Sequence, residues 1–238
     1  MTPFRLWVYL QTTPLFWLTA TLAAFLIADA LAKAAHRHPL VNPVAIAIAI
    51  LGIMLKATGA DYQTYFNGAQ FVHFLLGPAT VALAIPLYRQ LRLLLQSVTA
   101  VLVGLVAGVV SAAASAMGVA WALGASELTI RSLAPKSVTS PIAMAISEGI
   151  GGLPSLTAVL AILTGITGSV IAVWVLDAAR VKNEAARGLA MGTASHGIGT
   201  ARAIQLGEVT GAFSGLGMGL AAIATTLVVP LLVRLVYG

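Results

Sequence analysis

Long apolar runs broken by short polar stretches recur along the whole chain. Runs such as AIAIAILGIML (45–55) and VLVGLVAGVV (101–110) are continuous, not alternating. They therefore predict helices and exclude the two-residue period of a membrane β-barrel. The expected segments cover about 6–30, 39–56, 71–88, 93–123, 153–176, 185–206 and 209–236. Asp61, Tyr62, Tyr65 and Asn67 mark an expected loop between the second and third. A polar, proline-bearing stretch, 127–150, separates the fourth and fifth. A spanning helix needs about 20 apolar residues, and several of these runs reach that length. The first lacks a small-residue cleavage site and reads as a retained span, not a signal peptide.

Composition fixes the solvent. Of 238 residues, 59% are hydrophobic and 8% charged, against about 25% charged in a soluble domain. Such a chain cannot cover a water-facing surface. The expected fold is all-α, a polytopic membrane protein of about seven to eight segments in one domain. There are no cysteines, which excludes disulfides and thiolate metal sites. The net charge of +6 fits loops facing anionic lipid, and no nucleic-acid partner is expected.

Three stretches would break a helix inside an apolar segment: GPATVALAIP (77–86), APKSVTSP (134–141) and GTASHGIGTAR (192–202). Backbone groups freed in hydrocarbon cost several kcal/mol unless protein or a wet cavity pairs them. Unwound helix ends also present N–H groups and a positive dipole end, which favour an anion. The candidate substrate-binding residues are Pro78 and Thr80 in the first stretch. The second supplies Lys136, Ser137, Thr139 and Ser140. The third supplies Thr193, Ser195, His196, Thr200 and Arg202. Hydroxyls and amides would hold carboxylate oxygens, and Lys136 and Arg202 would balance the charge.

Each has a purely structural alternative. Lys136 can snorkel to the interface, Arg202 can anchor a helix end, and His196 can bridge a freed carbonyl. Glu148 and Glu208 read as solvated segment ends. The GxxxGxxxG series at Gly211, Gly215 and Gly219, and the pair Gly104 and Gly108, read as close helix-packing faces. No nucleophile–base pair, phosphate loop, haem signature or metal cluster is present, so neither enzyme activity nor a cofactor is expected.

Residues 76–90 align without gaps on 191–205, an offset of 115 that also places Pro39 on Pro154. If the basic stretches (Lys33 and Arg37; Arg89 and Arg92; Arg180, Lys182 and Arg187; Arg234) are cytoplasmic, then 127–150 starts and ends outside. The two copies, about 6–123 and 124–238, would then be inverted, as in many secondary transporters.

Three blocks resemble the LrgB/CidB family: LLGPATVALAIPLY (75–88), LAPKSVTSPIAMAISEGIGGLPSLTAVLAILTGITG (133–168) and GLAMGTASHGIGTARAIQLGEVTGAFSGL (188–216). The resemblance runs from about residue 39 to the end and extends to the C-terminal half of a plastid glycolate/glycerate translocator. It implies two alternatives. One is transport of small 2-oxo or 2-hydroxy monocarboxylates such as pyruvate, glycolate or glycerate. The other is a holin- or antiholin-like role in murein hydrolase activity and lysis. It also implies a small LrgA/CidA-type membrane partner, since the chain reads as lacking an LrgA-like half. Without a transit-like leader, a bacterial inner membrane is the expected location, with self-association into a homo-oligomer. Because lesion formation needs no placed helix breaks, the sequence favours alternating-access transport of a monocarboxylate, with proton coupling as an option.

Overall fold

The computed structural model describes residues 13–75, 78, 81–82 and 84–237. Among them every regular element is helical. In chain order these are α1 (Pro14–Ala34), α2 (Pro43–Thr58), α3 (Tyr62–Phe74), α4 (Ala84–Arg89), α5 (Leu91–Gln96), α6 (Val98–Ala122), α7 (Glu127–Leu133), α8 (Ser140–Gly149), α9 (Pro154–Ala178), α10 (Glu184–Leu206) and α11 (Glu208–Tyr237). Four of them, α1, α6, α9 and α11, are long and apolar enough to cross a membrane, and α2 is a shorter apolar helix. Their exposed leucines, isoleucines and valines suit hydrocarbon, where only internally bonded backbone is stable.

The contacts form two units, 1–82 and 83–238. In the first, α1 packs on α2 and α3. Trp17 is fully buried and meets Tyr65 edge-on, with ring centroids 5.8 Å apart. Asn42 Oδ1 accepts from the Val44 and Ala45 amides and starts α2, as an N-cap does. Gly59 ends it at φ +68, where a side chain would be strained. The stretch expected as a loop around Asp61 is largely helical. Asp61 accepts from the Thr64 amide and hydroxyl and so caps α3. These bonds, the backbone one foremost, hold its carboxyl below the ordinary value. The tyrosine-rich pattern concealed a helix whose Trp17-facing side is aromatic.

In the second unit, α6, α9 and α11 frame a core of small and branched residues that includes Val109, Ala113, Ala161 and Val229. The stretch 127–150 is a helical hairpin, α7–turn–α8. Thr157 on α9 ties it down: its Oγ1 lies 2.9 Å from the Ser132 carbonyl oxygen and 2.7 Å from Ser147 Oγ. Ser132 Oγ also accepts from the Leu153 amide at 2.8 Å.

Candidate functional site: two opposed helical hairpins

Glycine-rich GTASHGIGTAR does not lose its helix over the whole stretch. The break is one residue, His196, at φ +41 and ψ −136. Contacts on either side show that the chain reverses there. Along the first arm (184–195), Gly188 lies against Thr210 and Gly192 against Ser214, so this arm runs parallel to α11. Along the second arm (197–206), Thr200 Oγ1 lies 3.0 Å from Ser214 Oγ, while Ile204 lies against Gly211, so this arm runs back. A Cβ on Gly199 would sit 2.8 Å from the Met191 carbonyl oxygen, which is out of reach along a straight helix. The expected span at 185–206 is therefore a re-entrant hairpin.

Glycine supplies the close approach. Gly188 and Gly192 leave no room for a Cβ against α11 backbone. Gly104 and Gly108 of α6 face Leu189 and Thr193, in line with the packing role expected of that pair. The GxxxGxxxG series behaves only in part as expected. Gly211 packs on Ile204, but Gly219 meets nothing, and an equally close contact comes from Gly217, outside the series, against Leu189.

The two hairpins enter from opposite ends of α11. The base of α10 lies beside residues 210–214. The base of α7–α8, at Arg131 and residues 149–151, shares a cleft with Leu227, Pro230, Arg234 and Tyr237. Arg234 thus sits on the same face as 127–150, not with the basic stretches at the base of α10 as the charge argument expected.

The tips meet in a cleft of about 440 Å³ beside the middle of α9. Lys136 comes from the first tip, and Ala194 and Ser195 from the second; Thr164, Thr167 and Gly168 come from α9. Gly168 leaves no room for a Cβ against Ser195, which allows the second tip to seat. Thr164 and Thr167 were missed because they sit inside a clean apolar run, and only an i, i+3 polar pair hints at a lined face.

Among the described residues, no other candidate lines this cleft. His196 is buried, and its Nε2 donates to the Ala161 carbonyl at 2.9 Å. The bond ties the second tip to α9. Thr200 Oγ1 donates to the His196 carbonyl at 2.9 Å, closing the turn. Thr193 is buried on the other side of α10, in a second cleft of about 530 Å³ with Ser111 and Ser115. Ser137 is buried, and Thr139 and Ser140 are half-buried at the start of α8. Arg202 is half-buried, with Nη1 donating to Gln205 Oε1 at 3.1 Å. Pro78 is helical and exposed in the first unit, and Thr80 lies outside the described residues. Glu148 and Glu208 are exposed, in keeping with segment ends. Among the described residues, no cluster of three or more His, Cys, Asp or Glu side chains is placed to hold a metal.

A sequence model of the LrgB-like family matches residues 21–235. The chain belongs to the LrgB-like family. It is 40% identical over 202 residues to the uncharacterized protein YwbG of Bacillus subtilis, covering 84% of this chain and 90% of that protein. It is 33% identical over 227 residues to the antiholin-like protein LrgB of Bacillus subtilis, covering 95% and 98%. It is 33% identical over 202 residues to the holin-like protein CidB of Staphylococcus epidermidis, covering 85% and 88%. No solved structure matches.

Proposed function

We propose that this LrgB-like chain is a multi-pass membrane protein with the holin- or antiholin-like role carried in its relatives' names, acting on murein hydrolase activity and lysis. Near full-length identity of 33% to an antiholin-like protein is the observation that carries this reading. It reverses the order that sequence reasoning alone favoured. Five basic residues of the second unit lie at the α10 side (Arg89, Arg92, Arg180, Lys182 and Arg187), against Arg131 and Arg234 at the other, and this excess would orient the α10 side to the cytoplasm of a bacterial inner membrane. A homo-oligomer and an LrgA/CidA-type partner belong to the same proposal.

A second reading, movement of a small monocarboxylate, is favoured by the opposed hairpins. Two tips that enter from opposite faces and meet at Lys136 and Ser195 place a cation, a hydroxyl and helix ends around a mid-depth cleft. That suits a carboxylate. The cleft supports Lys136 and Ser195 as ligands most directly. The other candidates on the two hairpins would act as tip architecture. The wider inverted repeat and the count of seven to eight segments stay with this reading. Five of the fifteen residues of the first-half copy, 76–90, lie outside the described residues.

Purified protein in liposomes separates the two. Dye leakage without substrate saturation supports lesion formation. Saturable, stereoselective uptake of labelled pyruvate or glycolate, with or without an LrgA-type partner and lost in Lys136→Ala, supports transport. Neither behaviour, with the protein folded, leaves the non-transporting regulatory role.

A further inference from the structure

The cleft at the base of the first hairpin, about 610 Å³, plays no part in either reading. Its lining changes character along α11. At one end are Arg131, Arg234 and Tyr237, with the Gly149–Gly151 turn beside them; along the helix below come Leu227, Pro230 and Leu231. Arg131 is held firmly. One Nη donates to the Ile150 carbonyl at 2.7 Å, the other pairs with Glu127, and the guanidinium lies over the Tyr237 ring, 5.3 Å from its centre. Two of its five N–H groups are thus used, and Glu127 offsets its charge. Arg234 is exposed and has no ion pair among the described residues. The cleft therefore carries a net positive end. Leu227 and Leu231 are 70% and 59% exposed, one turn apart on the face leading away from it.

A cationic end continuous with an apolar groove along a spanning helix matches one kind of occupant. We propose that this cleft binds an anionic phospholipid, its phosphate at Arg234 and Arg131 and an acyl chain along Leu227 and Leu231. A soluble phosphate would use the cationic end alone and leave the leucines bare. The proposal concerns the membrane face opposite the α10 base and does not depend on what the chain moves or regulates.

The test uses the full-length protein taken from vesicles of equal phosphatidylglycerol and phosphatidylcholine, with bound lipid counted by native mass spectrometry. Wild type should retain phosphatidylglycerol in preference. Arg234→Gln should lower that preference about fivefold, the weight of one basic residue at a charged surface. Arg234→Lys, which keeps the charge, should retain most of it and so sets aside misfolding. Leu231→Ser should reduce retained phosphatidylglycerol while the charge is intact. Equal retention by wild type and Arg234→Gln would overturn the proposal. So would displacement of the lipid by millimolar inorganic phosphate, which would show a site for free anions.

Discussion

Gly199→Ala asks whether the chain truly reverses at His196, because the two geometries predict opposite signs. In a straight helix, alanine for glycine is favourable by roughly 0.5–1 kcal/mol, and side chains four residues apart keep their Cβ atoms about 5–6 Å apart. In the hairpin, the new methyl would lie 2.5 Å from Ser195 Cβ and 2.8 Å from the Met191 carbonyl oxygen. Carbon atoms rest at about 3.5–4.0 Å, so the arms must part by roughly 1 Å. Forced methyl groups in a packed interior cost about 1–3 kcal/mol. For a chain of this size that lowers the unfolding midpoint by roughly 2–12 °C. The assay is thermal unfolding of purified protein in detergent, followed by fluorescence-detected gel filtration. Gly219→Ala is the control, since that glycine is exposed and its Cβ would meet nothing. If Gly199→Ala matched or exceeded the control in stability, the reversal at His196 would be wrong.

His196→Gly should be less destabilising than His196→Ala by about 1 kcal/mol, because both lose the Ala161 bond but only glycine accepts φ +41; equal midpoints would count against the backbone assignment. Thr157→Val should destabilise by about 1–3 kcal/mol, since it strips partners from buried Ser132 and Ser147; chemical denaturation in detergent measures this. Glu208→Gln should change stability by less than about 0.5 kcal/mol, as its 3.9 Å pair with Arg89 is exposed on both sides; a larger loss would show that the pair does structural work. Asp61 caps α3 as a carboxylate whose pKa lies below 3.8. The cap's contribution is therefore full above that value and fades only as pH falls through the lowered one. Asp61→Asn should blunt any acid-induced loss of helicity as pH falls below about 4, followed by circular dichroism.

Apolar run length located α6, α9 and α11 to within a few residues, because hydrocarbon thickness fixes both hydropathy and helix length. Prolines bracketing Lys136 likewise marked a turn between two short helices, which the structure has at residues 134–139. The hairpin at His196 was legible as a break but not as a reversal. Glycine and serine lower helix propensity without saying where the chain goes, and the direction is set by what Gly188, Gly192 and Gly199 pack against. The helix at α3 was obscured because polar and aromatic residues there serve Trp17, a contact 48 positions from Tyr65 in sequence. Thr164 and Thr167 stayed hidden because an apolar average swallows two hydroxyls.

One joint governs how the second unit can flex. Only Gly207 stands between Leu206 and Glu208, extended at φ 162 and ψ 163, and its carbonyl already accepts the Gly211 amide at 2.9 Å. The second arm of α10 is thus coupled to the foot of α11 like a short crank on a long shaft. Tilting α11 would drag the His196 elbow along α9 and widen or pinch the space beside Lys136, with no slack segment to absorb the movement.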